Sequence, residues 1–182
     1  MRRIKCTNFI GNQIKCNPAI KTKQDQEALI KAVNSNRLDI IATDHAPHTI
    51  SEKKGQYTEA PAGIPLVQHS LLSLIDHFKN GKFSLETIVQ KACHNPALRF
   101  GVKNRGFIRE GYYADLVLLN LNKGTEVNKQ SIKYKCKWSP FLGHKFKSKI
   151  EKTFVNGKVI YDGQNLIVSN RFVRPLEFNR DP

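Results

Sequence analysis

Ile40-Ile41-Ala42-Thr43-Asp44-His45-Ala46-Pro47-His48-Thr49 decides how the rest of this chain is read. A short β-branched apolar run stops at an acid, and two histidines bracket an Ala-Pro step just beyond it. A buried parallel strand that delivers polar side chains at its C-terminal end has this pattern. An ionised carboxylate is costly to bury without a cation or hydrogen bonds. Asp44 is therefore a candidate metal ligand or general base, with His48 four positions on. A plainer reading stays open beside it: Asp-His pairs also cap loops, and Pro47 fixes a turn.

Working upstream, Gln13-Ile14-Lys15-Cys16 reads as the end of a strand that Asn17-Pro18 stops. Asn17 then occupies the same outgoing position as Asp44. Asp25-Gln26-Glu27 opens a helix, with acids in the first turn where the helix dipole favours them. Ala28, Leu29, Ala32 and Val33 give it one apolar face. Asn34-Ser35-Asn36 ends it, and Leu38 to Ala42 is the next strand. The unit is strand–helix–strand with polar residues at both strand ends. In a parallel α/β barrel those ends share the face on which active sites are built.

Downstream, His45 to Gly63 is a long loop of the kind that carries function. Leu66 to Phe78 has helical spacing, and His69 and His77 within it read as structural residues. Ser84 caps a helix through Ala92. Asn95 caps a short one with Pro96 at its first position, and Gly101 closes it. From Gly106 the texture turns to β. Leu116 to Leu119 is a strand, and Asp115 before it reads as structural. Lys152 to Tyr161 is a hairpin about Asn156-Gly157. Trp138-Ser139-Pro140-Phe141 is an irregular link expected to pack the β region against the barrel. Asn170 to Pro182 is a basic tail with a few apolar anchors.

The 182 residues are 40% hydrophobic and 25% charged, which suits a globular chain and excludes a disordered one. No apolar run is long enough to span a bilayer, and no signal-peptide core follows the basic N-terminus, so a cytoplasmic location is expected. Cys6, Cys16, Cys93 and Cys136 form no Cys-x-x-Cys pair and read as free thiols. The net charge of +15 raises nucleic acid as a partner. The densest basic stretch, Lys133 to Lys152, would set its lysines on one face of an extended chain. Lysine and asparagine are abundant throughout, so compositional bias is the preferred cause, and nucleic-acid binding ranks last.

Thr43-Asp44-His45-Ala46-Pro47-His48-Thr49 followed by Glu52-Lys53 resembles the signature of dihydroorotases, in the cyclic amidohydrolase superfamily. Asn17-Pro18-Ala19-Ile20-Lys21 resembles the Asn-Pro-Pro-Leu-Arg word of that family. Ala60-Pro61-Ala62-Gly63-Ile64-Pro65 resembles its Pro-Gly loop. Gly106 to Leu119 resembles the Gly-x-Ile-x-x-Gly-x-x-Ala-Asp-Leu-Val word that starts the superfamily's small β domain. The resemblance runs from about Gln13 to near the C-terminus and covers well under half of a family enzyme.

The resemblance implies an α/β fold: the last two strands and helices of a TIM-barrel amidohydrolase (residues 1–105), then part of a small β-sandwich-like domain and tail (106–182). It implies zinc-dependent, reversible hydrolysis of the cyclic amide of L-dihydroorotate to N-carbamoyl-L-aspartate. Asp44 matches a zinc ligand and general acid/base; the complete enzyme would hold two ions. Asn17 and His48 match substrate-binding positions, and Ala62 and Gly63 match positions whose backbone groups pair with the ring. Ala62 stands where the family has proline. The family's His-x-His pair and its substrate arginine are absent here. The expectation is therefore a C-terminal portion, incomplete alone, with Met1 starting a truncated or split frame and the partner being the missing N-terminal half of the barrel. Homo-oligomerisation stays open. So do two alternatives: an inactive remnant or assembly module, and a hydantoinase or allantoinase relative.

Overall fold

A computed structural model describes residues 11–167 and 174–179; the expectations for Cys6 and for much of the tail lie outside the described residues. The first helix, α1 (Lys23–Asn34), is started by Thr22. Its hydroxyl accepts the Asp25 N–H while the Asp25 carboxylate accepts the Thr22 N–H at 2.9 Å, a closed capping box. The expected apolar face is only partly used. Val33 is buried, but Leu29 is 59% exposed.

The two expected strands form no ladder. Gly11–Ile14 is a 3-10 turn, not a strand end. Residues 38–44 run without strand pairing. Two bonds to the following helical layer hold this segment: Ile41 N–H to the Lys91 carbonyl at 3.0 Å, and Asn95 Nδ2 to the Asp39 carbonyl at 2.7 Å. At its outgoing end His45 makes a single parallel bridge with Ile64. A parallel ladder needs a neighbouring strand along its whole length, and the described residues provide only this one bridge.

A 3-10 turn at Val67–His69 leads into α2 (Ser70–Lys79), which buries Leu72 and Ile75. Ser84 caps α3 (Leu85–Val89) by accepting the Thr87 N–H at 3.0 Å. The helix does not stop at Ala92 to be capped anew. One wider π-type turn (Gln90–His94) carries it directly into α4 (Asn95–Arg99). Asn95 is itself helical, and its side chain holds Asp39 instead of capping. Gly101 closes the run at φ +63°.

The β region has β1 (Leu116–Asn120), β2 (Thr125–Glu126), β3 (Lys145–Phe146), β4 (Lys149–Val155) and β5 (Lys158–Tyr161). They pair antiparallel as β1-β4-β5 and β2-β3. The β4–β5 hairpin turns at Asn156 (φ +50°) and Gly157 (φ +76°), the two left-handed positions that an Asn-Gly turn supplies. Asp115 is structural. It ion-pairs with Arg105 and accepts the Asn156 N–H at 2.8 Å.

The expected lysine alternation along an extended chain is met only in part. Lys133, Lys135, Lys137, Lys145 and Lys147 are exposed with Tyr134 and Phe146 between them buried, but turns at 135–136 and 140–143 interrupt the stretch and Lys149 is half-buried against Glu151. Leu72 of α2 packs with Val127 and Phe146, and Leu119, Ile132, Phe141 and Ile150 close around them. Burying one such side chain stabilises by about 1.5–3 kcal/mol, so this cluster fixes α2 against the β region.

Candidate functional site

Asp44 ends the unpaired segment with a left-handed backbone, φ +46°. Asp is among the few L-residues that adopt this region at modest cost. Asp44 is exposed.

His48 lies in the irregular chain that follows the His45 bridge. Its Nε2–H donates to the Ala62 carbonyl at 3.1 Å, which fixes the tautomer. Its own carbonyl accepts from Trp138 Nε1 at 2.7 Å. Just after it, the Glu52 carboxylate accepts from the Thr49 N–H and hydroxyl, both at 2.6 Å. The Thr49 hydroxyl and then its amide hold the Glu52 carboxyl below the usual range.

The Ala62–Gly63 loop is tied on three sides. Gly63 N–H donates to the Lys15 carbonyl at 2.9 Å. The Lys53 ammonium, 3% exposed, donates to the carbonyls of Lys15 (2.9 Å), Pro61 (2.8 Å) and Gly63 (2.9 Å). Gly63 has φ +144°, and a Cβ there would stand 2.4 Å from the Ala46 carbonyl oxygen. With the Ala62 carbonyl taken by His48, the Ala62 N–H is the one backbone polar group of this pair with no partner among the described residues. Asn17, two residues after Lys15, is exposed with its side-chain amide unpaired among them.

The structure thus brings His48, Ala62 and Gly63 into direct contact and ties Asn17 to them through Lys15. Asp44 joins by sequence proximity, without a side-chain bond to the others. His45 belongs to the support. Its Nδ1 accepts the Leu66 N–H at 3.0 Å, and its ring lies 5.3 Å from that of Tyr134. His69 is buried with the Tyr134 hydroxyl and Ser139 Oγ each 3.3 Å from Nδ1. Burial, then the nearby His144, pushes its pKa down to about 4. Burial also pushes the Tyr134 phenol up to about 12. Both histidines read as structural in the sequence have packing roles: His69 is buried, and His77, half-buried on α2 with its pKa lowered by burial, sets its ring 5.5 Å from that of Phe83.

Lys53 and Trp138 are the residues whose roles sequence reasoning missed. Lys53 lies inside the quoted signature, but nothing in the pattern distinguishes a buried lysine from a solvated one. Trp138 was placed at the right interface, without its bond to the His48 carbonyl. Among the described residues, no three His, Cys, Asp or Glu side chains gather as metal ligands.

The amidohydrolase family model matches residues 8–160. The chain belongs to the amidohydrolase family. It is 34% identical over 153 residues to the dihydroorotase of Clostridium acetobutylicum, covering 84% of this chain and 36% of that one. It is 36% identical over 149 residues to the dihydroorotase of Lactobacillus johnsonii, covering 81% and 35%. This amidohydrolase chain therefore spans little more than a third of the relatives it matches. Among solved structures it is similar to an L-hydantoinase (dihydropyrimidinase) from Arthrobacter aurescens. That match has TM-score 0.85 and 26% identity, over 92% of this chain and 38% of that one. A D-hydantoinase shares the fold at TM-score 0.82, over 90% and 37%. No helix among the described residues is long and apolar enough to cross a membrane.

Proposed function

We propose that this chain supplies one wall of the active site of a TIM-barrel dihydroorotase. Residues 1–105 would contribute the last two barrel strands and their helices, and residues 106–182 part of the small β domain. Contacts from beyond these residues would complete the unpaired segment 38–44. The reaction is the reversible hydrolysis of L-dihydroorotate to N-carbamoyl-L-aspartate.

The observation that carries this reading is the junction of His48 with Ala62–Gly63 through the 3.1 Å bond to the Ala62 carbonyl. Two separated words of the family meet there, and two exposed residues beside the junction keep donors without a partner among the described residues. The Ala62 N–H and the Asn17 side-chain amide suit a substrate that carries a carboxylate and amides. Asp44, exposed at the end of its segment, would carry a proton between the attacking water and the ring nitrogen.

One carboxylate does not hold a zinc ion, so the described residues alone do not fit a resident metal. In this reading Asp44 is the one ligand the chain contributes and the rest come from elsewhere. Zinc would supply water activation and carbonyl polarisation.

A hydantoinase reading draws on the structural likeness to the Arthrobacter aurescens enzyme. The higher identities to dihydroorotases favour the first reading. Titrating the isotopically labelled chain with L-dihydroorotate, and separately with hydantoin and dihydrouracil, tests both. Amide shifts at Asn17, His48, Ala62 and Gly63 are expected with L-dihydroorotate and not with the neutral rings. Equal shifts with all three would favour a hydantoinase, and no shift with any would remove the assignment of these residues to substrate.

A further inference from the structure

Lys53 is one of the few charged side chains buried in the described chain, at 3% exposure. No carboxylate pairs with it among the described residues. Burying an ammonium without a counter-ion is costly, and its hydrogen bonds must offset much of that cost. All three N–H donors are in use, on carbonyls at 2.8–2.9 Å. The acceptors are far apart in sequence. Lys15 leads into Asn17, while Pro61 and Gly63 flank Ala62. Gly63 N–H closes the same junction by donating to the Lys15 carbonyl at 2.9 Å.

In a trans peptide the C=O and N–H point in opposite directions. Turning the Pro61 carbonyl towards Lys53 turns the Ala62 N–H away from it. The ammonium is saturated, so it has no donor left for a ligand. What it controls is where the ligand-facing donors stand.

We propose that Lys53 is a positioning residue that fixes the spacing of the Asn17 and Ala62–Gly63 segments and aims the Ala62 N–H outward. This rests on the reading of those residues as substrate contacts. Burial lowers the Lys53 pKa from the ordinary lysine value, in keeping with an ammonium that only the three carbonyls solvate.

The test compares the labelled wild-type chain with Lys53→Met, which keeps the apolar stem and removes the donors. The first readout is amide hydrogen exchange at Gly63. It is expected to speed up at least tenfold in Lys53→Met, while amides of β4 stay within twofold. Unchanged Gly63 exchange would overturn the proposal, and so would an equal loss of protection in β4, which would make Lys53 a general core residue. The second readout is affinity for L-dihydroorotate at a temperature where both proteins are fully folded. At least fivefold weakening is expected, and an unchanged affinity with a loosened Gly63 would overturn the positioning role. If the wild-type chain itself shows no L-dihydroorotate shifts, the substrate reading fails, and Gly63 exchange still decides what Lys53 holds. Should Lys53→Met not fold, Lys53→Arg carries the same comparison with donors and charge retained. It is then expected to keep Gly63 exchange within threefold of wild type, and a tenfold rise would overturn the proposal.

Discussion

Trp138 Nε1 donates to the His48 carbonyl at 2.7 Å, across 90 positions of sequence. A residue of the β region thereby holds the turn that carries a candidate substrate contact. Trp138 is 4% exposed, so the bond is made in a dry interface. Trp138→Phe keeps most of the packing and removes the donor. It is expected to destabilise by about 1 kcal/mol or slightly more, since the abandoned carbonyl is partly buried. Urea unfolding measures the loss. Amide shifts confined to residues 45–49 and their contacts would place it at this bond, and an unchanged midpoint would show the bond contributes nothing.

Asp44 has a backbone that most residues resist, at φ +46°. Asp44→Asn should fold with a midpoint near wild type, because Asn enters the left-handed region readily. Asp44→Val should cost about 1–2 kcal/mol from backbone strain alone. This makes Asp44→Asn a clean chemical control. With added zinc, neither the wild-type chain nor Asp44→Asn is expected to turn over L-dihydroorotate, since one carboxylate cannot hold the ion. Wild-type turnover that vanishes in Asp44→Asn would mean the chain assembles a working metal site from its own residues.

Local chemistry was legible in the sequence where it acts locally. The Asn156-Gly157 hairpin, the helices around Leu29, Leu72 and Ile88, the structural Asp115 and the role of Trp138 as a packing link all came from patterns within a few residues. The strands at residues 13–16 and 38–42 did not form as read. A short apolar run reports that a segment can be a buried strand, and the described chain supplies no neighbouring strand for it to pair with. Asn95 misled for a related reason: Asn-Pro is a good cap, but here its amide is recruited by Asp39, 56 positions away. For the candidate site the sequence offers Asn17, Asp44, His48, Ala62 and Gly63, and it gives no sign of the brace that ties three of these segments together. Lys53 looks like any surface lysine until the carbonyls of Lys15, Pro61 and Gly63 are found around it.

His69 should make the chain sensitive to mild acid. Its ordinary value of 6.5 falls to about 4 in the folded state, chiefly through burial. The unfolded chain therefore binds the proton more readily. The stabilisation is fully present above pH 6.5 and is lost as pH falls from there towards 4. The loss by pH 4.5 is expected to be of the order of 2 kcal/mol. His69→Gln should be less stable at neutral pH yet show a flatter dependence between pH 7 and 4.5. Urea midpoints across that range measure both, and parallel curves for the two proteins would assign the acid sensitivity to other groups, His77 first among them.

Gly63 sits where no side chain fits. A Cβ would stand 2.4 Å from the Ala46 carbonyl oxygen and 2.8 Å from the Ala46 Cβ, both parts of the signature turn itself. Its φ of +144° adds strain for any L-residue. Gly63→Ala must therefore push the loop off the Asp44–His48 turn, which breaks the His48 bond to Ala62 and loosens the Lys53 brace. The expected cost is at least about 2 kcal/mol, with loss of any L-dihydroorotate shifts. The comparison is Gly55→Ala, also at positive φ but with its nearest contact an ordinary 3.7 Å from the Glu59 carboxylate. That variant should cost about 1 kcal/mol of backbone strain and keep the ligand shifts. Equal costs in the two variants would mean that backbone conformation alone, and not the close approach to Ala46, explains the glycine at position 63.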